Sequence, residues 1–275
     1  MNASQLIKLE TILEEKGWIS DALFTSVKTK IGYLLSQLKV DEINLFLELL
    51  SDFTWIRNNS YNKLMLDIFR SFDKDFLNNA TKFYFFPLVK PSDAYKIKSG
   101  GAVIYLTVPL LDHIDEFNHI EKQIIDNYKI LKKINLKKNE YLVLMDDFIG
   151  SGNTLKACFN KLIELGFDSN NIVICSLAIQ KVGLKVINDL GLKVYYSHIE
   201  KKGISDKYDG EERETRLERM RKIEFKLRFN KNFSLGYEAS EALISMIKPP
   251  NNTFPLFWHE YERDTIKQKA PFPRS

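Results

Sequence analysis

The stretch Tyr141-Leu142-Val143-Leu144-Met145-Asp146-Asp147-Phe148-Ile149-Gly150-Ser151-Gly152-Asn153-Thr154-Leu155 concentrates the residue types that do chemistry. An apolar run ends in two acids, a loop of small residues follows, and a helical pattern begins. Gly150 and Gly152 let the backbone turn tightly, left-handed where needed, so that successive N–H groups face one concavity. Ser151 and Thr154 add hydroxyl donors, and the start of the helix adds its positive dipole end. Gly150, Ser151, Gly152, Asn153 and Thr154 together therefore make a cradle for a monophosphate. Asp146 and Asp147, acceptors only when ionised, suit two neighbouring sugar hydroxyls or a hydrated divalent cation. Sugar acceptors beside a phosphate cradle describe a ribose 5-phosphate site.

Competing motifs fail letter by letter. A P-loop needs Lys and then Ser or Thr after its last Gly, and Asn153 stands in the Lys position. A dinucleotide fingerprint needs Gly where Leu155 stands and has no acids before its first Gly. A phospho-receiver places its acid pair after the first strand of the domain, whereas two strand-like segments precede this one. His113 and His119, with no Cys or acid cluster beside them, make a poor metal site.

The elements that must position these residues are legible in outline. From Ser4 to about Phe76 the apolar residues recur at helical spacing, which predicts three or four helices and no strand. Phe83-Tyr84-Phe85-Phe86 reads as a short buried strand closed by Pro87 and Pro91. Ala102 to Val108 reads as a second strand, with an amphipathic helix of Glu116, Ile120, Ile124, Ile125, Tyr128 and Leu131 behind it. Strands at 141–145, 172–178 and 192–197 then alternate with helices at 154–166 and 181–190. Such alternation predicts a mainly parallel sheet in an α/β fold, with ligands held beyond the carboxyl ends of its strands. The chain divides on this reading into a helical N-terminal subdomain, 1–80, and an α/β domain, 81–275. The charged run from Glu211 to Phe229 reads as a solvated helix. Phe254, Phe257 and Trp258, set among Pro249, Pro250 and Pro255, predict a stiff, extended aromatic segment.

The stretch 141–155 resembles the phosphoribosyl-pyrophosphate signature of type I phosphoribosyltransferases: four apolar residues, two acids, and a loop ending Thr-Gly-any-Thr, with Ser151 in place of the first Thr. Pro249 to Trp258, Pro271-Phe272-Pro273-Arg274 and Lys90 to Gly101 are similar to a bacterial phosphoribosyltransferase-like group of defence and conflict gene clusters, some retron-linked. The resemblance covers roughly 82–275. It implies a sheet of the type I phosphoribosyltransferase kind with a C-terminal hood, and transfer of phosphoribose with release of pyrophosphate. Its site would be Asp146 and Asp147 on the ribose hydroxyls and, through water, on Mg²⁺. Lys90, Ser92, Lys96 and Lys98 would meet the pyrophosphate, Lys90 as a catalytic cation. Asn251, Asn252, Phe257 and Trp258 would meet the base. The ligand class is phosphoribosyl pyrophosphate or a nucleoside monophosphate. Many active members also carry a mobile lid between the second and third strands, and the stretch 109–139 shows no Gly/Ser-rich segment of that kind. The alternative is therefore a non-catalytic sensor or structural partner that keeps the fold, with the N-terminal helices as its protein-binding surface.

Composition narrows the rest. With 44% hydrophobic and 28% charged residues among 275, disorder and a disulfide scaffold are excluded, and the net charge of +4 comes from 40 basic and 36 acidic residues that are interspersed. That balance does not point to nucleic acid. Cys158 and Cys175 fall in apolar segments and read as buried thiols. No signal peptide begins the chain and no apolar run reaches the ~20 residues of a membrane span, so the reading is cytoplasmic.

Overall fold

Residues 57–200 carry the parallel sheet, and the reason lies in their apolar runs, each too short for a helix and most of them buried on both faces. The computed structural model describes residues 1–96, 98–263 and 266–274. Along the chain run α1 (Ala3–Glu15), α2 (Phe24–Leu35), α3 (Val40–Asp52), β1 (Thr54–Trp55), α4 (Tyr61–Arg70), α5 (Lys74–Asn79), β2 (Lys82–Pro87), α6 (Ser99–Thr107), β3 (Glu121–Ile124), α7 (Tyr128–Leu131) and β4 (Glu140–Ile149). They are followed by α8 (Asn153–Glu164), β5 (Ile172–Gln180), α9 (Lys181–Asp189), β6 (Lys193–Glu200), α10 (Gly210–Lys226), β7 (Ile244–Ser245), α11 (Pro255–Trp258), β8 (Tyr261–Arg263) and β9 (Ile266–Gln268).

The chain forms two compact units, one of Met1–Ile56 with Lys201–Ser275 and one of Arg57–Glu200. Helices α4 and α5, which precede the boundary near residue 80 read from the sequence, thus belong with the sheet. The segment after residue 200 belongs with the N-terminal helices.

In the second unit the sheet has the order β3-β2-β4-β5-β6 with every pairing parallel. The chain leaves β2 for the edge strand β3 and returns to β4 on the other side of β2. Connections therefore diverge between the carboxyl ends of β2 and β4, which is where an open α/β sheet forms a ligand crevice. Strand β5 is buried along its whole length and Leu142 to Met145 of β4 are fully enclosed. Tyr84, Leu142, Leu144, Leu155, Cys158, Ile174 and Ile187 belong to one core cluster, and Phe83 is flanked by the rings of Phe72, Phe76, Phe117 and Tyr141. Both cysteines are buried thiols; burial pushes Cys158 up to about 11 and raises Cys175 as well.

Three local expectations are corrected. Ala102 to Val108 is not a strand: α6 covers it, with Gly100, Val103, Ile104 and Thr107 buried at helical spacing while Tyr105 is exposed. A continuous apolar run carries no period that separates the two choices. The helix expected through Glu116, Ile120 and Leu131 is instead a pair of 3-10 turns, the edge strand β3 and the four-residue α7. In the N-terminal region the two residues of β1 do pair, with β7.

The first unit is built around aromatic rings. Phe53 lies 4.4 Å from Phe257 and 4.7 Å from Phe272 between centroids, and Trp18 meets Phe53, Trp55 and Phe272 edge-on. Helix α10 is not solvated all round, because Leu217, Met220 and Ile223 face this core. Among the described residues no helix is long and apolar enough to cross a membrane.

Candidate functional site at the carboxyl edge of the sheet

Strand β4 runs through both acids and ends at Ile149, so Asp146 and Asp147 are strand residues, and their carboxyls interact directly with one another. Asp147 is buried at 6% exposure and Asp146 is half-buried. Three donors hold the pair. Ser99 Oγ donates to Asp146 Oδ1 at 2.8 Å, the Asp147 N–H donates to the same oxygen at 2.9 Å, and the Tyr61 hydroxyl donates to Asp147 Oδ2 at 3.1 Å. Burial, and for Asp146 the neighbouring Asp147 charge, raise both carboxyls above the usual carboxylate range. Donors or positive charge brought to such a pair would favour its ionised form.

Close backbone approaches fix the geometry. A Cβ on Gly100 would lie 2.5 Å from the Met145 carbonyl oxygen, so only glycine lets the start of α6 rest on the ends of β2 and β4 and bring Ser99 to Asp146. On the other side, Gly183 of α9 packs directly on the carbonyls of Ile149 and Gly150. Gly152 is the N-cap of α8 with φ +81°, and a Cβ there would press on Val186 at 3.0 Å. Glycine brings no capping side chain, which leaves the first turn of this twelve-residue helix facing the loop. Gly150, Ser151, Asn153 and Thr154 are half-buried around it.

Pro91–Asp93 is a 3-10 turn, and Asp93 binds Lys96 at 2.7 Å and Lys98 at 3.0 Å. Those two ammonium groups hold the Asp93 carboxyl down to about 2. Lys90 is half-buried and, among the described residues, has no carboxylate partner; Ser92 is exposed. Ile97 lies outside the described residues.

The four residues expected to meet a base sit in the first unit. Phe257 is fully buried, with Phe46 at 5.4 Å on one side and Phe53 at 4.4 Å on another, which leaves its ring no face for a ligand. Trp258 donates its Nε1–H to the Thr253 carbonyl at 2.7 Å and is covered by Phe233 and the Arg274 guanidinium. Residues 255–258 form a helical turn rather than an extended strap, because Pro255 occupies its first position, where no N–H is needed. Both rings are anchors. Asn252 differs: it is 7% exposed and its Nδ2 has no hydrogen-bond partner among the described residues. Asn251 is half-buried.

Sequence reasoning missed Tyr61 and Ser99. Tyr61 stands 86 residues before Asp147, and no local pattern links them. Gly100-Gly101 was the available signal for Ser99, since a glycine pair at a helix start marks a close approach.

A parallel sheet with an acid pair at its switch point, one loop ahead of a glycine-capped helix, is the arrangement of a phosphoribosyltransferase-like protein. The PRTase-CE family model matches residues 34–274, and the chain belongs to this family. The match begins within α2 and so includes α3 to α5, which the signature at 141–155 does not reach. No curated protein matches the chain.

Proposed function

We propose that the carboxyl edge of β2 and β4 binds phosphoribosyl pyrophosphate, or a nucleoside monophosphate, and that the protein transfers phosphoribose with loss of pyrophosphate. The observation that carries this reading is the pair Asp146–Asp147, the second of them buried, placed one loop before the Gly152-capped start of α8. The N–H and hydroxyl groups of residues 150–154 take the 5-phosphate. Asp146 and Asp147 accept from the ribose hydroxyls, which adds to the three donors the pair already has. Transfer breaks the anomeric C–O bond and forms a bond from that carbon to the nucleophilic atom of the acceptor, while charge collects on the departing pyrophosphate. Lys90, the cation after β2 with no carboxylate partner among the described residues, is positioned by sequence order to meet it.

Two adjacent carboxylates, both raised in pKa, fit a hydrated Mg²⁺, an ion that proteins hold through one or two carboxylates with water and substrate phosphates as the other ligands. Asp146 and Asp147 would hold it, and when bound it offsets phosphate charge.

One observation favours the non-catalytic alternative: Lys96 and Lys98 share the Asp93 carboxylate, which offsets half of their charge and lowers their value to a pyrophosphate. Calorimetry with phosphoribosyl pyrophosphate and Mg²⁺ tests binding. Asp147→Asn is expected to lose about 1.5–3 kcal/mol relative to wild type. Equal heats, or none in either protein, reject the ligand. Pyrophosphate release with a panel of bases, nucleic acids and proteins separates transfer from binding alone. A role in bacterial defence rests on the similarity of residues 90–101 and 249–274 and is tested by whether phage resistance depends on Asp147.

A further inference from the structure

The first unit carries a cleft unrelated to the acid pair. Its volume is about 780 Å³, within the range of small-ligand sites, and it opens around the last turns of α10 and the loop after it. The charged run that reads as evenly mixed in sequence is segregated along this helix. Residues 211–218 hold four acids and two arginines, whereas residues 219–231 hold six cations (Arg219, Arg221, Lys222, Lys226, Arg228 and Lys231) and one acid, Glu224.

Four of the six cations lie in ion pairs: Arg219 with Asp41, Lys222 with Glu218, Lys226 with Glu42 and Arg228 with Glu262. Arg221 and Lys231 both line the cleft and, among the described residues, have no carboxylate within ion-pair distance. Glu224 also lines the cleft and feels the Arg221 charge, but its carboxylate is committed elsewhere. Its carboxylate is 4% exposed and turned inward, accepting from Ser234 Oγ at 2.6 Å and from the Leu235 N–H at 3.0 Å, and burial raises it to about 7.

The second observation is aromatic. Phe225 lines the same cleft yet is 79% exposed, and it stands four residues after Arg221, on the same face of α10. A bare ring beside unpaired cations is poorly suited to water. It is well suited to a planar ring joined to a phosphate, since stacking is indifferent to base identity and the cations supply the counter-charge.

We propose that this cleft binds a nucleotide unit, the base stacked on Phe225 and the phosphate met by Arg221 and Lys231. The chemistry is shared by a free nucleotide and by single-stranded nucleic acid, and the test has an arm for each. ADP is titrated calorimetrically and labelled hexauridylate by fluorescence anisotropy, into the full chain and into Asp147→Asn, which weakens the proposed site at the edge of β4. Binding is expected to survive Asp147→Asn, to weaken about tenfold in Phe225→Ala and to be retained in Phe225→Tyr. Arg221→Glu combined with Lys231→Glu is expected to abolish it. For the oligonucleotide, two phosphate contacts predict a log–log salt slope near about −1.4. Tighter binding of hexauridylate than of ADP assigns the cleft to nucleic acid, and the reverse assigns it to free nucleotide. No binding of either probe at low salt overturns the proposal. So does binding indifferent to Phe225→Ala, or binding lost in Asp147→Asn while Arg221→Glu is silent; that last result would put the nucleotide in the loop after β4 instead.

Discussion

At the carboxyl edge of β4, acids are buried together with three donors and glycines hold two helices close; in residues 251–258 of the first unit, aromatic rings are buried together and the indole N–H is spent on a neighbouring carbonyl. Both regions look functional in sequence, with unusual residue types crowded into a short span. They differ in what burial leaves over. The rings of Phe257 and Trp258 gain everything they can from the protein itself, through area removed from water and through aromatic contacts. Asp146 and Asp147 gain less than they lose, which is why both carboxyls are pushed upward. Residual cost, rather than crowding or chemical type, is what supports the proposal of a ligand at the edge of β4.

The comparison breaks most readily at Phe257. Phe257→Ala is expected to cost about 3–5 kcal/mol in denaturant unfolding, the price of emptying an aromatic core; a loss below about 1 kcal/mol would mean that the ring is not an anchor. Gly183→Ala acts on the other region. Its methyl group meets the Ile149 and Gly150 carbonyls, so a destabilisation of about 1–3 kcal/mol is expected, together with weaker phosphoribosyl pyrophosphate binding by calorimetry. Unchanged melting and affinity would show that the loop yields freely.

The smallest effect sharpens the contrast. Tyr61→Phe removes one donor from Asp147 and is expected to cost about 1 kcal/mol. Because the folded acids keep protons that the unfolded chain releases above about pH 4, wild-type stability falls as pH rises from there through the raised pKa values. With the tyrosine donor gone the Asp147 carboxyl moves higher still, so the decline should extend to higher pH. Identical pH profiles for the two proteins would remove Tyr61 from the pair's support.

Much of this architecture was readable before folding, and the exceptions have physical causes. Residues 141–155 were legible because strand, turn and helix cues agree there residue by residue. The strands at 172–180 and 193–200 and the helices between them were legible for the same reason. Ala102 to Val108 misled because an unbroken apolar run fits a buried helix as well as a strand. Ile120, Ile124 and Ile125 sit at helical spacing, yet β3 pairs with β2 through its backbone, and four residues of an edge strand need no alternation. Tyr61 and the assembly of the first unit from both ends of the chain depend on contacts between distant segments. Local periodicity holds no information about those. Asp93 could have been suspected, three and five residues before Lys96 and Lys98, as the group that would claim them.

The two cysteines have a use that their packing creates. Both Cys158 and Cys175 belong to the sheet unit, and the first unit has none. A thiol reacts as thiolate and only when uncovered, and these two are enclosed and hard to ionise. Alkylation therefore keeps time on one half of the molecule alone, counting the excursions in which residues 57–200 come apart while fraying elsewhere leaves no mark. A molecule seated at the edge of β4 would slow that clock by the factor with which it holds the sheet closed.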